Sequence, residues 1–251
     1  MQSSFMQSRL ASSFSNIGRL LTFRLTREEF AQFNKTDLAV GLACTWLAGI
    51  GRTLHNQRVE WWQHAGLGSV AYVFALSLLL YLVLAPLRVK GLSYRHILTF
   101  VSLTSPTGFI YAIPVERYLS IEDASTARFW FLAIVAAWRV ALLIFYVRRY
   151  LEFSGLRTAV VSLLPLCAIV VALSVLNLDK VVLNFMGGGG HRGHRSSDDA
   201  AFMVLFDISL LALLAFLPLL LAYILEVVLA RMSPKDPPSN QHLMNPNPPD
   251  S

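Results

Sequence analysis

Two histidines and two aspartates near the end of this 251-residue chain are the first residues whose types suggest chemistry. His191 and His194 lie three residues apart, with Asp198 and Asp199 close behind, and zinc accepts imidazole and carboxylate ligands. The four glycines before them have no preferred backbone conformation and cannot hold ligands in a fixed geometry. We therefore interpret residues 187–199 as a flexible, solvated connector and predict no bound metal.

An arginine inside an apolar run is the second candidate. Arg139 lies in FWFLAIVAAWRVALLIFYV, about 15 Å from either end at a helical rise of 1.5 Å per residue. A charge at that depth costs at least about 2.5–3.5 kcal/mol, so Arg139 should face other helices and be paired. Asp207, near the start of the last apolar run, is the predicted partner. Glu226, near the opposite end of that run, is predicted to meet Arg231 or the loop arginines.

This charged pair supports two interpretations. It is either a structural lock between two helices or a gate or site for an anionic or protonated solute. No further acidic residues extend it into a chain of titratable groups, which favours the lock.

A polar segment containing proline, HILTFVSLTSPTGFIYAIPVER, is the third candidate. Its hydroxyl side chains form a polar row, and its proline and glycine should break or kink the helix. The residues at the predicted break are Ser102, Ser105, Pro106, Thr107 and Gly108. Broken helices line binding sites in transporters, whereas small and hydroxylic residues also form ordinary contacts between transmembrane helices. Packing is the favoured interpretation, with a solute site as the alternative.

Enzyme signatures do not occur in this chain. There is no GxSxG, no HExxH and no GK[ST] after the glycines, and no span contains two carboxylates close enough in sequence to act as a pair. We predict no catalytic residues, no cofactor and no enzymatic activity.

Composition places these candidates in a membrane protein. Hydrophobic residues make up 55% of the chain and charged residues only 14%, whereas soluble domains carry about 25% charged residues. This excludes an ordinary soluble enzyme and a disordered chain. The net charge of +6 is expected to contact anionic lipid at the membrane surface, so no nucleic-acid partner is predicted.

The predicted fold is all-α: a polytopic transmembrane helix bundle with about six spans, or five if one of the weaker runs fails. A spanning helix needs about 20 mostly apolar residues. The first and third runs are the weakest. The six runs are Leu38–Leu54, Leu67–Leu87, Ile97–Pro114, Phe129–Val147, Thr158–Leu178 and Phe202–Ala230.

Three parts are predicted along the chain. Residues 1–37 form a basic cytoplasmic segment, in which apolar residues at helical spacing indicate an amphipathic helix lying on the membrane. Those apolar residues are Phe14, Ile17, Leu21 and Leu25. Residues 38–230 form the transmembrane domain, and the proline-rich residues 231–251 form a disordered cytoplasmic tail. Lys and Arg concentrate on the side of both termini, which predicts that both termini are cytoplasmic.

The order of these elements resembles a known family. A basic amphipathic lead, IGRLLTFRLTREEFAQF, precedes TDLAVGLACTWLAGIGR and GLGSVAYVFALSLLLYLVL, and the polar third run and RFWFLAIVAAWRVALL follow. This pattern over about residues 15–178 resembles bacterial members of the Yip domain family. The eukaryotic branch of that family has five spans and small-GTPase partners. Its acidic DLYGP-type motif is absent here, so the resemblance does not imply GTPase binding.

We expect a non-enzymatic protein of the bacterial cytoplasmic (inner) membrane. Its predicted role is to organise lipid or to bind protein partners, with the bilayer, other membrane proteins or a second copy as partners. The alternative is a small carrier or channel that uses the broken third run together with Arg139 and Asp207.

Overall fold

The computed structural model describes residues 2–53, 65–89, 91–176 and 195–232, and within them every regular element is helical. The all-α fold class is thus confirmed for the described residues. The helices are α1 (Gln2–Leu21), α2 (Arg27–Ala31), α3 (Lys35–Thr53), α4 (Leu67–Leu84), α5 (Tyr94–Leu103), α6 (Ile121–Arg149), α7 (Gly155–Val175) and α8 (Arg195–Met232). A 3-10 helix, Ser105–Ala112, continues from α5, and short 3-10 turns lie at Ala85–Leu87 and Val115–Arg117.

Four helical stretches in the described residues are long and apolar enough to cross a membrane. They belong to α4 with its 3-10 extension, α6, α7 and α8, and they coincide with the second, fourth, fifth and sixth predicted runs. Their bounds are Leu67–Leu87, Phe129–Arg149, Gly155–Val175 and Asp207–Met232. Two predicted runs do not qualify by these criteria. The first, α3, carries charged residues at both ends, and the third is divided between α5 and the 3-10 helix.

Pairs of touching residues give the directions of the first three segments. Along α3, Gly41 packs on Ser102 and Thr45 bonds to Ser105 further up the third segment, so these two segments run parallel. Between them in the chain, α4 runs the opposite way, because its first turn lies against the end of α3 and Tyr81 contacts Tyr94 at the start of α5. We call the end of the bundle where α3 and α5 begin the base.

The remaining helices continue this alternation. Tyr146, near the end of α6, stacks on Phe100 of α5, so α6 descends towards the base. Arg157, near the start of α7, pairs with Glu226 near the end of α8, so α7 ascends and α8 descends. The hydroxyl of Tyr223 donates to the carbonyl oxygen of Val83, which joins α8 to the basal end of α4.

The N-terminal helix packs on the base of the bundle. Ile17 and Leu20 of α1 are buried in the protein core, and the Asn16 side-chain amide donates to the Asp37 carboxylate on α3 at 3.3 Å. Trp138 of α6 donates its indole N–H to the Leu21 carbonyl oxygen. A helix is present over Gln2–Leu21, with the predicted Leu25 in the turn beyond it, and part of its apolar face contacts protein.

Two predicted segments fall partly outside the described residues. His191 and His194 of the predicted connector lie outside them, and residues 195–199, which include both aspartates, are helical as the first part of α8. The predicted flexible connector therefore does not include residues 195–199. In the predicted tail, Arg231 and Met232 complete α8, and 233–251 lie outside the described residues.

Candidate functional site

The predicted helix break is present in the polar segment. Helix α5 ends at Leu103, and the chain continues as a 3-10 helix from Ser105 with Pro106 in its first turn. Proline has no N–H for an α-helical bond and clashes with the preceding turn, which explains why the α-helix stops here.

The hydroxyl groups of this segment bond largely to its own backbone. Ser102 Oγ donates to the Thr99 carbonyl oxygen at 2.9 Å, and Thr104 Oγ1 donates to the Val101 carbonyl oxygen at 2.7 Å. Such local bonds satisfy polar groups that neither lipid nor water would satisfy. The polar row is therefore internally satisfied at these positions.

Small residues of helix α3 pack directly against the polar segment. A methyl group placed on Gly41 would lie 2.4 Å from Ser102 Oγ and 3.0 Å from its backbone carbon, so the two helices touch almost backbone to backbone. One turn higher, the hydroxyl oxygens of Thr45 and Ser105 are hydrogen-bonded at 2.7 Å. Ser102 is fully buried, and Ser105 and Thr107 expose 2% and 4% of their surface. These predicted site residues thus form a packed helix–helix contact.

Arg139 contacts the broken segment directly. Its Nε donates to Thr107 Oγ1 at 3.2 Å, and Thr107 Oγ1 donates in turn to the Thr104 carbonyl oxygen at 2.8 Å. Thr104 caps the C-terminus of α5, where the helix dipole places partial negative charge. Gly108 lies beside the guanidinium, since a Cβ added there would lie 3.5 Å from Arg139 Nη2, an ordinary van der Waals contact. The arginine is therefore paired with a helix end through a threonine relay.

The structure does not bring Arg139 and Asp207 together. Asp207 is exposed at the start of the apolar stretch of α8, and the two residues form no ion pair in the part of the chain that the structure describes. The physical reason is that α8 packs chiefly on α7 at the edge of the bundle, while α6 faces the third segment. The two residues were paired because they lie at similar depths in their predicted spans. Which helices are neighbours in the bundle decides whether they can meet.

Glu226 forms an ion pair with one of the arginines near a loop, as predicted. This arginine is Arg157, at the start of α7. Arg157 Nε lies 3.4 Å from Glu226 Oε2, and the Arg157 guanidinium also lies over the Phe153 ring, 4.3 Å from its centroid. This ion pair joins α7 to α8 near the base. Its role is structural, because both partners are held between two packed helices.

An aromatic cluster fills the base, and the sequence analysis did not find it. His96 of α5 stacks on Tyr150 at 4.6 Å between ring centroids and on Phe33 at 5.3 Å. Phe30 of α2 is fully buried and packs edge-on against Tyr146. The contributing residues come from three separate parts of the chain, residues 30–33, residue 96 and residues 146–150, so no local spacing could have predicted the cluster.

His96 is partly buried, and its Nε2 atom is shielded from solvent. Among the described residues its Nε2 has no hydrogen-bond partner, and burial, together with the adjacent Arg95 charge, lowers the pKa of His96 to about 4 from 6.5. The imidazole is therefore neutral at neutral pH and acts as an aromatic packing surface.

Two ion pairs connect the short helix α2 to its neighbours at the base. Thr26 and Glu29 form a capping box, and Arg19 of α1 pairs with the same glutamate. Desolvation acts to raise the pKa of Glu29, but its hydrogen bonds from Thr26 and the charge of Arg19 outweigh it and lower the pKa. Arg27 pairs with Glu152 at 2.7 Å, but both side chains are exposed, so this pair adds little stability.

No group of three or more potential metal ligands occurs among the described residues. No family model, no curated protein and no solved structure matches the chain. The resemblance to the Yip domain family stays a prediction.

Proposed function

We propose that this protein is a non-enzymatic integral membrane protein that organises the membrane or binds protein partners through its bundle and its base. The observation that supports this proposal is how the hydroxyl groups of the polar third segment are hydrogen-bonded. Its serines and threonines bond to their own backbone, to Thr45 of α3 and to Arg139, and they are almost completely buried. Hydroxyl groups that are already hydrogen-bonded within helix contacts are not free to bind a solute.

Six crossings are part of this proposal. Helix α3 has 19 residues and measures about 28 Å at 1.5 Å per residue. Ile97–Leu103 followed by the 3-10 helix measures about 26 Å, because a 3-10 helix rises about 2 Å per residue. Both lengths approach the hydrocarbon thickness of about 30 Å. The alternating directions of all six segments give further support.

The base is proposed to be cytoplasmic. Helix α1 docks there and α8 ends there, so the described parts nearest to both termini lie at one end of the bundle. Basic residues of that end include Lys35, Arg88, Arg95, Arg148, Arg149 and Arg157. Positive residues favour the cytoplasmic side, and a bacterial inner membrane fits this arrangement. A basic N-terminal helix followed by a broken third segment also keeps the Yip-like class within the proposal.

The alternative function is a small-solute carrier or channel, and one observation favours it. Arg139 is half-buried and forms no ion pair with a carboxylate among the described residues. A positive charge held only by neutral groups is a feature of anion sites. The accessibility of the polar segment to water separates the two functions.

Cysteine labelling at Ser105 tests the proposal. In a background with Cys44 and Cys167 replaced by alanine, Ser105→Cys is treated with a water-soluble maleimide in opened membrane vesicles. Ser154→Cys, exposed before α7, is the accessible control, and Ala137→Cys, exposed midway along α6, is the lipid-facing control.

We expect rapid labelling at position 154, and protection at 105 and 137 until the protein is denatured. Labelling at position 105 as fast as at 154 would show a water-filled path. That result would reject the packing proposal in favour of the carrier.

A further inference from the structure

A surface groove lies at the basal end of α6. It has a volume of about 440 Å³ and is lined by Ala141, Ile144, Phe145, Arg148 and Arg149. From Arg149 to Ala141 the helix rises about 12 Å, so the groove extends from the end of the spanning stretch into its apolar part. One end of the groove is thus basic, and the other is apolar.

The turn after α1 supports the apolar wall of this groove. The Phe23 ring packs edge-on against Phe145 at 5.7 Å between centroids. Trp138, about two helical turns before Phe145 on α6, donates its indole N–H to the Leu21 carbonyl oxygen. Phe23 has a φ of 59°, a left-handed conformation in which bulky residues are rare. The surrounding contacts therefore hold the wall in place.

The arginines at the mouth of the groove are not neutralised by neighbouring acids. Arg148 and Arg149 are exposed, and within the described residues neither forms an ion pair. Arg19 and Arg27 at the same end, by contrast, are paired with Glu29 and Glu152. Two adjacent exposed arginines therefore supply the positive charge at the mouth of the groove.

We propose that the groove binds one anionic phospholipid. The phosphate group bonds to the guanidinium groups of Arg148 and Arg149, which match phosphate oxygens with paired N–H donors. One acyl chain lies along Ala141, Ile144 and Phe145. Basic pockets next to spanning helices on the cytoplasmic side bind lipid headgroups for this reason.

The charge distribution selects this occupant over another protein segment. A docked apolar helix would leave two uncompensated arginines at its edge, and a free anion would leave the apolar wall unused. A phospholipid satisfies both ends at once, with its charge at the interface and its chain in the hydrocarbon layer. The inference needs only that α6 crosses a bilayer and is independent of whether the protein binds partners.

Native mass spectrometry of the delipidated full-length protein tests this site. The probes are dioleoyl phosphatidylglycerol and dioleoyl phosphatidylcholine. The test variant is Arg148→Gln/Arg149→Gln, and the control variant is Lys35→Gln/Arg95→Gln, which removes the same charge from the base outside the groove. Ala141→Phe fills the apolar part, and the water-soluble headgroup glycerophosphoglycerol serves as a competitor. The thermal stability of each variant is measured alongside.

The wild type is expected to bind one phosphatidylglycerol more tightly than phosphatidylcholine. The double arginine variant should lose about tenfold or more in affinity, as expected when charge-assisted bonds are removed, and the control less than about twofold. Ala141→Phe should also weaken lipid binding, and the free headgroup should compete poorly. Equal losses in the test and control variants would overturn the proposal. So would unchanged binding in Ala141→Phe combined with effective competition by the headgroup, because the site would then bind an anion without a lipid chain.

Discussion

The inner and outer parts of the bundle differ in residue type and in burial. The inner part, α3 with the broken third segment, contains glycines, serines and threonines in direct contact and is buried. The apolar stretch of the outer helix α8 has the highest mean hydropathy of the four long stretches. Only 6% of that stretch is buried inside the protein, against 33% for the stretches of α4 and α7. Most of the leucines in the apolar stretch of α8 are exposed on the outside of the protein. The most polar segment is therefore the best packed, and the most apolar helix is the least packed.

This difference follows from the solvent. In water, large apolar residues are buried because their exposure is unfavourable, but lipid chains are as apolar as leucine and provide no such force between helices. Association then relies on close contact and interhelical hydrogen bonds, which small and hydroxylic residues supply. The exposed leucines of α8 match the surface that a bilayer requires.

Truncating one leucine in each region should show the largest contrast. Leu103 at the end of α5 is fully buried, whereas Leu217 of α8 is 61% exposed. Leu103→Ala should leave a cavity and cost about 2–5 kcal/mol. Leu217→Ala should change the stability by less than about 0.5 kcal/mol, as is usual for surface positions. Thermal unfolding in a mild detergent measures both, and similar losses would remove the distinction between the regions.

The close contact between α3 and α5 gives a second, smaller contrast. Gly41→Ala should cost about 1–3 kcal/mol, because the added methyl group overlaps Ser102. Gly155→Ala is the matched control, since nothing lies within 4 Å of its added methyl group. The same thermal measurement applies. If Gly41→Ala were as stable as the wild type, α3 and α5 could not be packed this closely.

The sequence was sufficient for some of these features. Runs of about 20 apolar residues located the four long helices, and Pro106 located the break, because both depend only on local chemistry. The contacts of Arg139 and His96 were out of reach, since they depend on which helices are neighbours. Arg139 was paired with Asp207 because the two residues have similar depths in their spans. In the structure, Arg139 instead bonds to Thr107, which bonds in turn to the C-terminal end of α5.

The base offers a third and smaller test through its pH dependence. Burial, with a further contribution from the Arg95 charge, holds the pKa of His96 at about 4 in the folded protein, below the ordinary 6.5. Between these values the unfolded chain binds more protons than the folded one, so stability is complete above about pH 6.5 and falls as the pH decreases towards 4. Replacing His96 with phenylalanine keeps a ring in the stack and removes the titration.

Thermal unfolding of the wild type and His96→Phe at a series of pH values checks this point. The wild type should lose more stability than the variant between pH 6.5 and 4, and the difference should vanish above that range. Parallel curves would mean that His96 is solvated and that the basal cluster is open to water.

The most direct test of the central claim is a pair of double-mutant cycles on Arg139, read as thermal stability in detergent. The claim is that the arginine is held by the broken segment as part of a structural contact. Thr107→Val should leave the guanidinium without its acceptor and cost about 1–3 kcal/mol. In Arg139→Leu that cost should largely disappear, giving a coupling of about 1 kcal/mol or more. Arg139→Leu and Asp207→Leu should be additive within about 0.5 kcal/mol. Strong coupling to Asp207 and none to Thr107 would contradict the account.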